Sequence, residues 1–170
     1  MDDNKVALIS GASSGIGEEF ARQLSDQGWT VFLLARRKDK LEQICEQINT
    51  KNKGKAYFEV CDVGDRDLIA AAVERIYTKT QHLDLVIANA GVGRQVGVKQ
   101  FDTEIIDYLY QVNVFGVLSL IKGVLPKMLS RGQGHIVAIS SLAAYRAFPK
   151  THPYCATKSA LNAHMQGLYR

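Results

Sequence analysis

Residues 5–17 read Lys-Val-Ala-Leu-Ile-Ser-Gly-Ala-Ser-Ser-Gly-Ile-Gly, and they are the most informative stretch of the chain. The apolar run from Val6 to Ile9 predicts a buried strand, and Gly15 opens a helix-like segment that includes residues 18–24. Between the two stand the glycines Gly11, Gly15 and Gly17. Glycine lets a backbone approach a ligand closely, and the free N–H groups at the start of a helix attract anions. The stretch therefore predicts a phosphate-binding turn between a strand and a helix.

The same turn also fits a second class of enzyme. Residues 11–15 contain Gly-x-Ser-x-Gly, the sequence of a nucleophile elbow, in which Ser13 would attack a substrate carbonyl. A hydrolase of this kind needs an acid and a histidine later in the chain, and an oxyanion loop ahead of the serine. We expect no such loop here, because the elbow would follow the first strand. A serine hydrolase is therefore kept as a distant alternative.

The composition is that of one ordinary globular domain. The chain has 170 residues, of which 46% are apolar and 22% charged, enough for a single core. The net charge of +4 is scattered along the chain, so we expect no nucleic acid partner. The N-terminus lacks the pattern of a secretory signal, and no uninterrupted apolar run reaches the ~20 residues of a membrane helix. We therefore expect a cytoplasmic protein without a membrane partner.

Cysteine and histidine do not predict a metal site. The three cysteines form no Cys-x-x-Cys pair, and the four histidines lack a spacing such as His-Glu-x-x-His. We expect reduced thiols and no bound metal.

Strand-like and helix-like segments alternate along the whole chain. Further strands are predicted at 29–35, 56–60, 83–88 and 135–139, and helices at 41–48, 68–77, 103–130 and from Pro153 onward. This alternation predicts an α/β fold, a doubly wound parallel sheet in a three-layer α/β/α arrangement. Ligands of such sheets bind beyond the carboxyl ends of the strands. Glycines and polar residues collect at those ends: residues 11–17, Arg36, Arg37, Asp62, residues 89–91, Ser140 and Ser141.

The last predicted helix carries Tyr154 and Lys158 four residues apart, so their side chains share one face. A nearby ammonium stabilises a phenolate, which suits a tyrosine to general acid and base catalysis. A lone Tyr-x-x-x-Lys is more often a solvated helix pair. Here it follows Ser141 by thirteen residues, after a strand end expected beside the phosphate-binding turn.

Together these motifs resemble the short-chain dehydrogenase/reductase family, whose fold is Rossmann-like. The resemblance runs from residue 5 to the end and rests on Gly11-x-x-x-Gly15-x-Gly17, Asp62-Val63, Asn89-Ala90-Gly91, Asn113, Ser141 and Tyr154-x-x-x-Lys158. It implies an oxidoreductase that interconverts a carbonyl and an alcohol of a small molecule by hydride transfer with a nicotinamide cofactor.

The resemblance also implies roles for single residues. Tyr154 would be the proton donor or acceptor, and Ser141 would hydrogen-bond the substrate oxygen. Lys158 would hold the nicotinamide ribose and tune Tyr154, and Asn113 would anchor a water that relays protons to Lys158. The implied cofactor contacts are Gly11, Ser13, Ser14, Gly15, Ile16, Gly17, Asp62, Val63, Asn89, Ala90, Gly91, Tyr154 and Lys158. Three simpler interpretations stay open: a core asparagine at 113, a helix cap at Asp62 and a plain turn at residues 89–91.

The end of the second strand predicts NADP(H) rather than NAD. NAD-selecting sites commonly place an acidic residue there to accept from the ribose 2′-hydroxyl. Here Ala35 is followed by Arg36 and Arg37, whose guanidinium groups suit a 2′-phosphate. The competing interpretation is a solvated start of the next helix.

Members of the resembled family run further than this sequence does. Residues 1–170 are accordingly predicted to form a single dinucleotide-binding domain that stops after the helix with Tyr154 and Lys158, without the C-terminal substrate lid. Weak turnover is expected, which keeps a catalytically silent NADP-binding or scaffold protein as an alternative. The resemblance, together with the apolar helix from Tyr108 to Leu129, predicts a homodimer or homotetramer.

Overall fold

The computed structural model describes residues 5–51 and 53–168. Within them lie five strands, β1 (Val6–Ser10), β2 (Thr30–Ala35), β3 (Ala56–Val60), β4 (Leu85–Ala88) and β5 (His135–Ala138). The α-helices are α1 (Gly15–Asp26), α2 (Lys38–Lys51), α3 (Arg66–Lys79), α4 (Thr103–Tyr110), α5 (Gly116–Arg131) and α6 (His152–Gly167). A π-helical turn, Gln111–Phe115, joins α4 to α5, and short 3-10 turns lie at Val98–Gln100 and Leu142–Ala144.

The predicted doubly wound sheet is confirmed. All strand pairs are parallel, in the order β3-β2-β1-β4-β5. The chain winds outward from β1 in one direction through β2 and β3, and in the other direction through β4 and β5. The point where the winding reverses, between β1 and β4, is where sheets of this kind bind ligands.

The sheet is covered on both faces, which is why its central strands are apolar throughout. Leu8 of β1 belongs to a core cluster with Val86 and with Leu120 of α5, to which α3 also contributes. Ile9, one residue later, belongs to a second cluster with Leu33 and with Leu41 of α2. Alternate residues of a strand point to opposite faces, so one uninterrupted apolar run fills both cores.

Carboxylates fix the starts of α3 and α4. Asp65 accepts the N–H groups of Asp67 and Leu68, and Asp102 caps α4 as predicted, accepting from Glu104 and Ile105. The open interpretation of Asp62 as the cap of α3 is therefore wrong, because Asp65 performs that task.

The single helix predicted over residues 103–130 is divided by the π turn. This helical stretch, Thr103–Arg131, contains a window with mean hydropathy 1.5, long and apolar enough to cross a membrane, but half of the window is buried inside the domain. Leu109, Val112, Val117 and Ile121 are buried within the chain itself. Core packing therefore already covers much of the apolar face on which an oligomer was predicted.

Asp84 ties three elements together at the end of the sheet remote from the phosphate-binding turn. Its carboxylate accepts the N–H of Val6 at 2.8 Å, is hydrogen-bonded by the Arg131 guanidinium and lies 3.4 Å from the His82 ring. Burial alone would raise the pKa of Asp84. The hydrogen bonds from Arg131 and Val6 outweigh burial and hold the pKa below its usual value.

The Asp84→Asn variant is expected to lower the free energy of unfolding by about 1–3 kcal/mol at pH 7. A depressed native pKa means that the carboxylate stabilises the fold above the unfolded-state pKa of ~3.9, and that this contribution is lost as pH falls through the native pKa. Urea unfolding at neutral pH and near pH 3 measures both effects. The exposed Asp107→Asn is the matched control. An equally large difference between Asp84→Asn and wild type at both pH values would contradict this account.

Candidate functional site

The glycine turn is built so that two of its glycines accept no side chain. A Cβ on Gly11 would lie 2.7 Å from the Cα of Ala90, and one on Gly17 would lie 2.5 Å from Asn89 Nδ2 and 2.6 Å from Gly11 O. Gly11 and Gly15 also have positive φ values of 66° and 61°. The turn consequently packs directly on the chain segment that follows β4.

The start of α1 is left open to a ligand. Ser14 occupies the N-cap position but makes no side-chain hydrogen bond to the helix. The first N–H groups of α1 and the positive end of its dipole therefore remain available to an anion.

Ser10 and Asn89 join the ends of β1 and β4. The Asn89 amide donates to the carbonyl oxygens of Ser10 at 3.1 Å and Gly11 at 3.3 Å. In return Ser10 Oγ accepts the backbone N–H groups of Asn89 and Ala90, each at 3.1 Å. Residues 89–91 thus form more than a plain turn, since they hold the glycine turn in place. The sequence analysis missed Ser10, which looked like an ordinary strand end.

The two arginines after β2 have different partners. Arg37 donates to Ser14 Oγ at 2.6 Å and to Ser13 Oγ at 2.9 Å, so it ties the glycine turn to the end of β2. Arg36 lies 3.4 Å from the Tyr108 hydroxyl and 3.6 Å from the Asp62 carboxylate. The hydrogen bond with Tyr108, and after it the charge of Asp62, raises the pKa of Arg36, which keeps this guanidinium positive.

A cleft of about 460 Å³ runs along the carboxyl ends of the strands. The predicted cofactor contacts that line it are Gly11, Ser13, Ser14, Ile16, Arg36, Arg37, Asp62, Val63, Asn89, Ala90 and Gly91. Gly15 and Gly17 belong to the turn that forms one wall. Tyr108 and Val112 also line the cleft, and the sequence analysis missed both, because nothing local shows which helix residues face a site.

Ser13 has the wrong surroundings for a hydrolytic nucleophile. Its Oγ accepts hydrogen bonds from Nε and Nη2 of Arg37, at 3.1 and 2.9 Å. In the part of the chain that the structure describes, no histidine is hydrogen-bonded to Ser13, and His82 is paired with Asp84 at the opposite end of the sheet. A guanidinium cannot act as a general base, so the geometry disfavours the serine hydrolase alternative.

Lys158 lies buried where the cleft meets α6. Its side chain is 4% exposed, and its ammonium donates to the carbonyl oxygen of Ile139 at 2.7 Å. Burial lowers the pKa of Lys158 below its usual value. The Nζ lies 5.9 Å from the centre of the Tyr154 ring, as expected from their shared helix face. A Cβ on Gly91 would stand 3.5 Å from Lys158 Nζ, so the cleft and this lysine adjoin at Gly91.

Asn113 is fully buried in the π turn. Its Oδ1 accepts the N–H of Val92 at 2.8 Å, and its Nδ2 donates to Val92 O at 2.9 Å and to Thr157 Oγ1 at 3.1 Å. Thr157 Oγ1 in turn donates to the carbonyl of Tyr154 at 2.7 Å. Asn113 is therefore a satisfied core asparagine that links the loop after β4 to the helix of Tyr154. Thr157, which the sequence analysis missed, completes this link.

Ser141 keeps a proton to donate. Its Oγ accepts the N–H of Ala143 at 3.1 Å and begins the 3-10 turn of residues 142–144. Ser159 Oγ donates to the carbonyl of Ala144 at 2.6 Å, which fastens this turn to α6. Tyr154, half-buried on the same helix, lies beside Gly93, whose Cβ would be 3.8 Å from the tyrosine ring. Ser141 and Tyr154 thus stand on two segments that are tied to each other.

The cysteines and histidines form neither a metal site nor a disulfide in the described ranges. No group of three His, Cys, Asp or Glu side chains there could hold a metal ion. The thiols of Cys45, Cys61 and Cys155 are free and buried. Burial raises the pKa of Cys45 and Cys61 to about 11, which keeps these thiols protonated and unreactive at neutral pH.

The chain is similar to known proteins over nearly its whole length. The family model for short chain dehydrogenases matches residues 5–170. An uncharacterized oxidoreductase of Staphylococcus saprophyticus is 32% identical over 165 residues, covering 97% of this chain and 70% of the relative.

Solved structures agree with this similarity. An alcohol dehydrogenase from the archaeon Thermococcus sibiricus, complexed with 5-hydroxy-NADP, has a TM-score of 0.92 at 29% identity, covering 97% of this chain and 70% of that one. A NAD⁺-bound xylitol dehydrogenase has a TM-score of 0.91 at 26% identity, covering 98% and 65%. The similarity thus extends to structures with either form of the dinucleotide, and this chain spans about two thirds to 70% of their length.

Proposed function

Because this chain belongs to the short-chain dehydrogenase family, we propose that it is an NADP-dependent oxidoreductase that interconverts a carbonyl and an alcohol of a small molecule. The observation that carries the proposal is one continuous cleft. It begins at Arg36, passes the glycine turn and reaches Gly91, next to which Lys158 stands. A dinucleotide in this cleft would place its phosphates at the glycine turn and its reactive nicotinamide near Lys158.

The residues of the cleft fit such a cofactor. The glycine turn packs on the segment after β4, where a Cβ on Gly11 or Gly17 would collide, and the open start of α1 favours the negative charge of a pyrophosphate. NADPH, when bound, supplies the hydride. Everything else in the reaction falls to side chains that position the substrate and move a proton.

Tyr154 is proposed as the acid that protonates the carbonyl oxygen when this oxygen gains negative charge. Ser141 would donate a second hydrogen bond to the same oxygen, since its hydroxyl accepts from Ala143 N–H and donates to no described residue. The positive charge of Lys158 stabilises the phenolate that Tyr154 becomes. Asn113 and Thr157 hold the backbone of Tyr154 in place, and the predicted water relay from Asn113 remains part of the proposal.

NADP is proposed over NAD because two guanidinium groups face the cleft and no acidic residue ends β2. Titration of both cofactors, followed by protein fluorescence, should give at least tenfold tighter binding of NADP, about 1.4 kcal/mol. Arg36→Gln should remove most of that difference, whereas Lys53→Gln, on an exposed turn, should leave it unchanged. Equal or inverted affinities in wild type would contradict the choice of NADP.

A catalytically silent NADP-binding or scaffold protein is the alternative. The chain spans about 70% of the staphylococcal relative. A reduction assay with NADPH and a panel of small ketones and aldehydes separates the two. Tight NADP binding without turnover of any of them would favour the silent protein, and turnover would favour the enzyme.

Self-association in the cytoplasm is also part of the proposal. Phe115 remains exposed beside the buried part of the α4–α5 stretch, and β5 is one of the two edge strands of the described sheet. Light scattering is expected to give the mass of a dimer or tetramer, and the mass of a monomer at micromolar concentration would contradict it.

A further inference from the structure

We propose that the substrate is an apolar carbonyl compound that carries an anionic group, a carboxylate or a phosphate. The inference rests on the proposed function and concerns residues 92–101 and 142–151, called here the mouth loops. Val92, at the end of the cleft, is the one residue of these loops that lines the proposed dinucleotide site.

The mouth loops meet at the helix that carries Tyr154. The backbone N–H of Val96 donates to the carbonyl of Lys150 at 2.7 Å, which joins one loop to the other. Gly93 lies against the Tyr154 ring, and Phe101 stacks on His152 with ring centres 5.9 Å apart. A substrate whose carbonyl reaches Tyr154 must therefore extend along these loops.

The charge of the mouth loops has one sign. Their ionised side chains are Arg94, Lys99, Arg146 and Lys150, and they contain no Asp or Glu. These four are among the 21 lysines and arginines of the chain, whose acidic residues number 17, so the loops account for the whole net charge of +4. Basic residues that looked scattered in the sequence are thus gathered around the reactive end of the cleft.

These four cations form no ion pair within the described residues. All are exposed, and the structure gives none of them an ion pair with a described residue. The carboxylate that follows the first loop, Asp102, is occupied as the cap of α4. Lys150 has φ 64°, the left-handed region that a residue with a side chain rarely adopts, and such strain concentrates at functional sites. An anionic ligand would supply the missing counter-charge.

The mouth loops also carry many of the exposed apolar side chains. Twelve large hydrophobic side chains are exposed in the described chain, and five of them stand on these loops: Val98, Phe101, Leu142, Tyr145 and Phe148. Val98, Leu142 and Tyr145 are 96, 87 and 82% exposed, more than any of the others. Apolar and cationic groups on the same two loops fit a ligand that has both an apolar body and a negative charge.

The test compares phenylglyoxylate with its methyl ester, two aryl ketones that differ by one negative charge. Calorimetry on the full chain, with NADP⁺ present so that the ketone cannot be reduced, should show the acid binding at least about fivefold tighter than the ester. The ratio should fall when salt is raised from ~50 to ~500 mM. Both ligands are also titrated without cofactor.

Variants assign the preference to the loops. Changing Arg94, Lys99, Arg146 and Lys150 together to Gln should equalise the affinities of acid and ester. The control changes four exposed lysines elsewhere, Lys40, Lys53, Lys55 and Lys122, to Gln, and should keep the preference at the same net charge. Thermal melting verifies that both variants fold.

The outcomes separate this inference from the proposed function. Equal affinity of acid and ester in wild type, no measurable binding of the acid, or an unchanged preference in the loop variant would each overturn the inference. Failure of NADP⁺ to bind would overturn the proposed function instead, and a preference for the acid in that case would leave the loops as an anion-binding surface.

Discussion

Replacing Tyr154 by phenylalanine should lower the turnover of carbonyl reduction by a factor of about 10³ while changing NADP affinity little. The variant removes one hydroxyl and keeps the ring that packs beside Gly93. Without the phenol proton, the developing alkoxide would keep only the hydrogen bond from Ser141. The Lys158 ammonium lies 5.9 Å from the centre of the Tyr154 ring and donates to the carbonyl of Ile139, so we do not expect it to replace the acid.

Steady-state kinetics with saturating NADPH gives the turnover, and a fluorescence titration gives the affinity for the cofactor. Tyr57→Phe on β3, also a partly exposed tyrosine, is the matched control and should keep full activity. Turnover of Tyr154→Phe within a few-fold of wild type would show that Tyr154 is not the proton donor, whatever other variants do.

Most strand bounds could be predicted because they depend on the local sequence. β3 has the predicted bounds, and β1, β2 and β5 differ by a residue or so, because parallel strands covered on both faces must be apolar throughout. Helix ends were less accurate. α2, for example, spans Lys38–Lys51 rather than the predicted residues 41–48, whereas the start of α1 at Gly15 is as predicted.

The π turn between α4 and α5 could not be predicted from helical periodicity, because it depends on contacts between distant segments. Asn113 is bonded to the backbone of Val92, and a Cβ on Gly116 would stand 2.3 Å from the carbonyl oxygen of Val63. Both partners come from loops far away in sequence. The extra residue of a π turn is an accommodation to such contacts, and no helical periodicity announces it.

The candidate site could likewise be predicted where it depends on local motifs, but not where it depends on contacts between distant segments. Gly11, Asn89 and Lys158 were predictable from their motifs, and the structure brings their segments together. The attachment of Arg37 to Ser13 and the approach of Tyr108 to Arg36 were not, because side-chain partners follow from the packing of whole elements. The positive mouth loops also arise only in three dimensions, through a hydrogen bond between residues 96 and 150.

Gly17→Ala should weaken NADP binding by about 10- to 100-fold, or about 1.4–2.8 kcal/mol. The added Cβ would lie 2.6 Å from Gly11 O and 2.5 Å from Asn89 Nδ2, so either the turn or the asparagine must move. Movement of Asn89 would break its hydrogen bonds to Ser10 and Gly11, and movement of the turn would displace the N–H groups that are proposed to hold the phosphates. Either movement would disturb the phosphate-binding turn.

Gly167→Ala separates this collision from ordinary helix propensity. Alanine is favoured over glycine inside a helix by about 1 kcal/mol, and a Cβ at Gly167 would meet nothing within 4 Å. We therefore expect Gly167→Ala to keep the melting temperature and the NADP affinity of wild type or to raise the former slightly. Gly17→Ala should lower both, although it too replaces a glycine within a helix. A Gly17→Ala protein that binds NADP within twofold of wild type would show that the turn does not hold the phosphates.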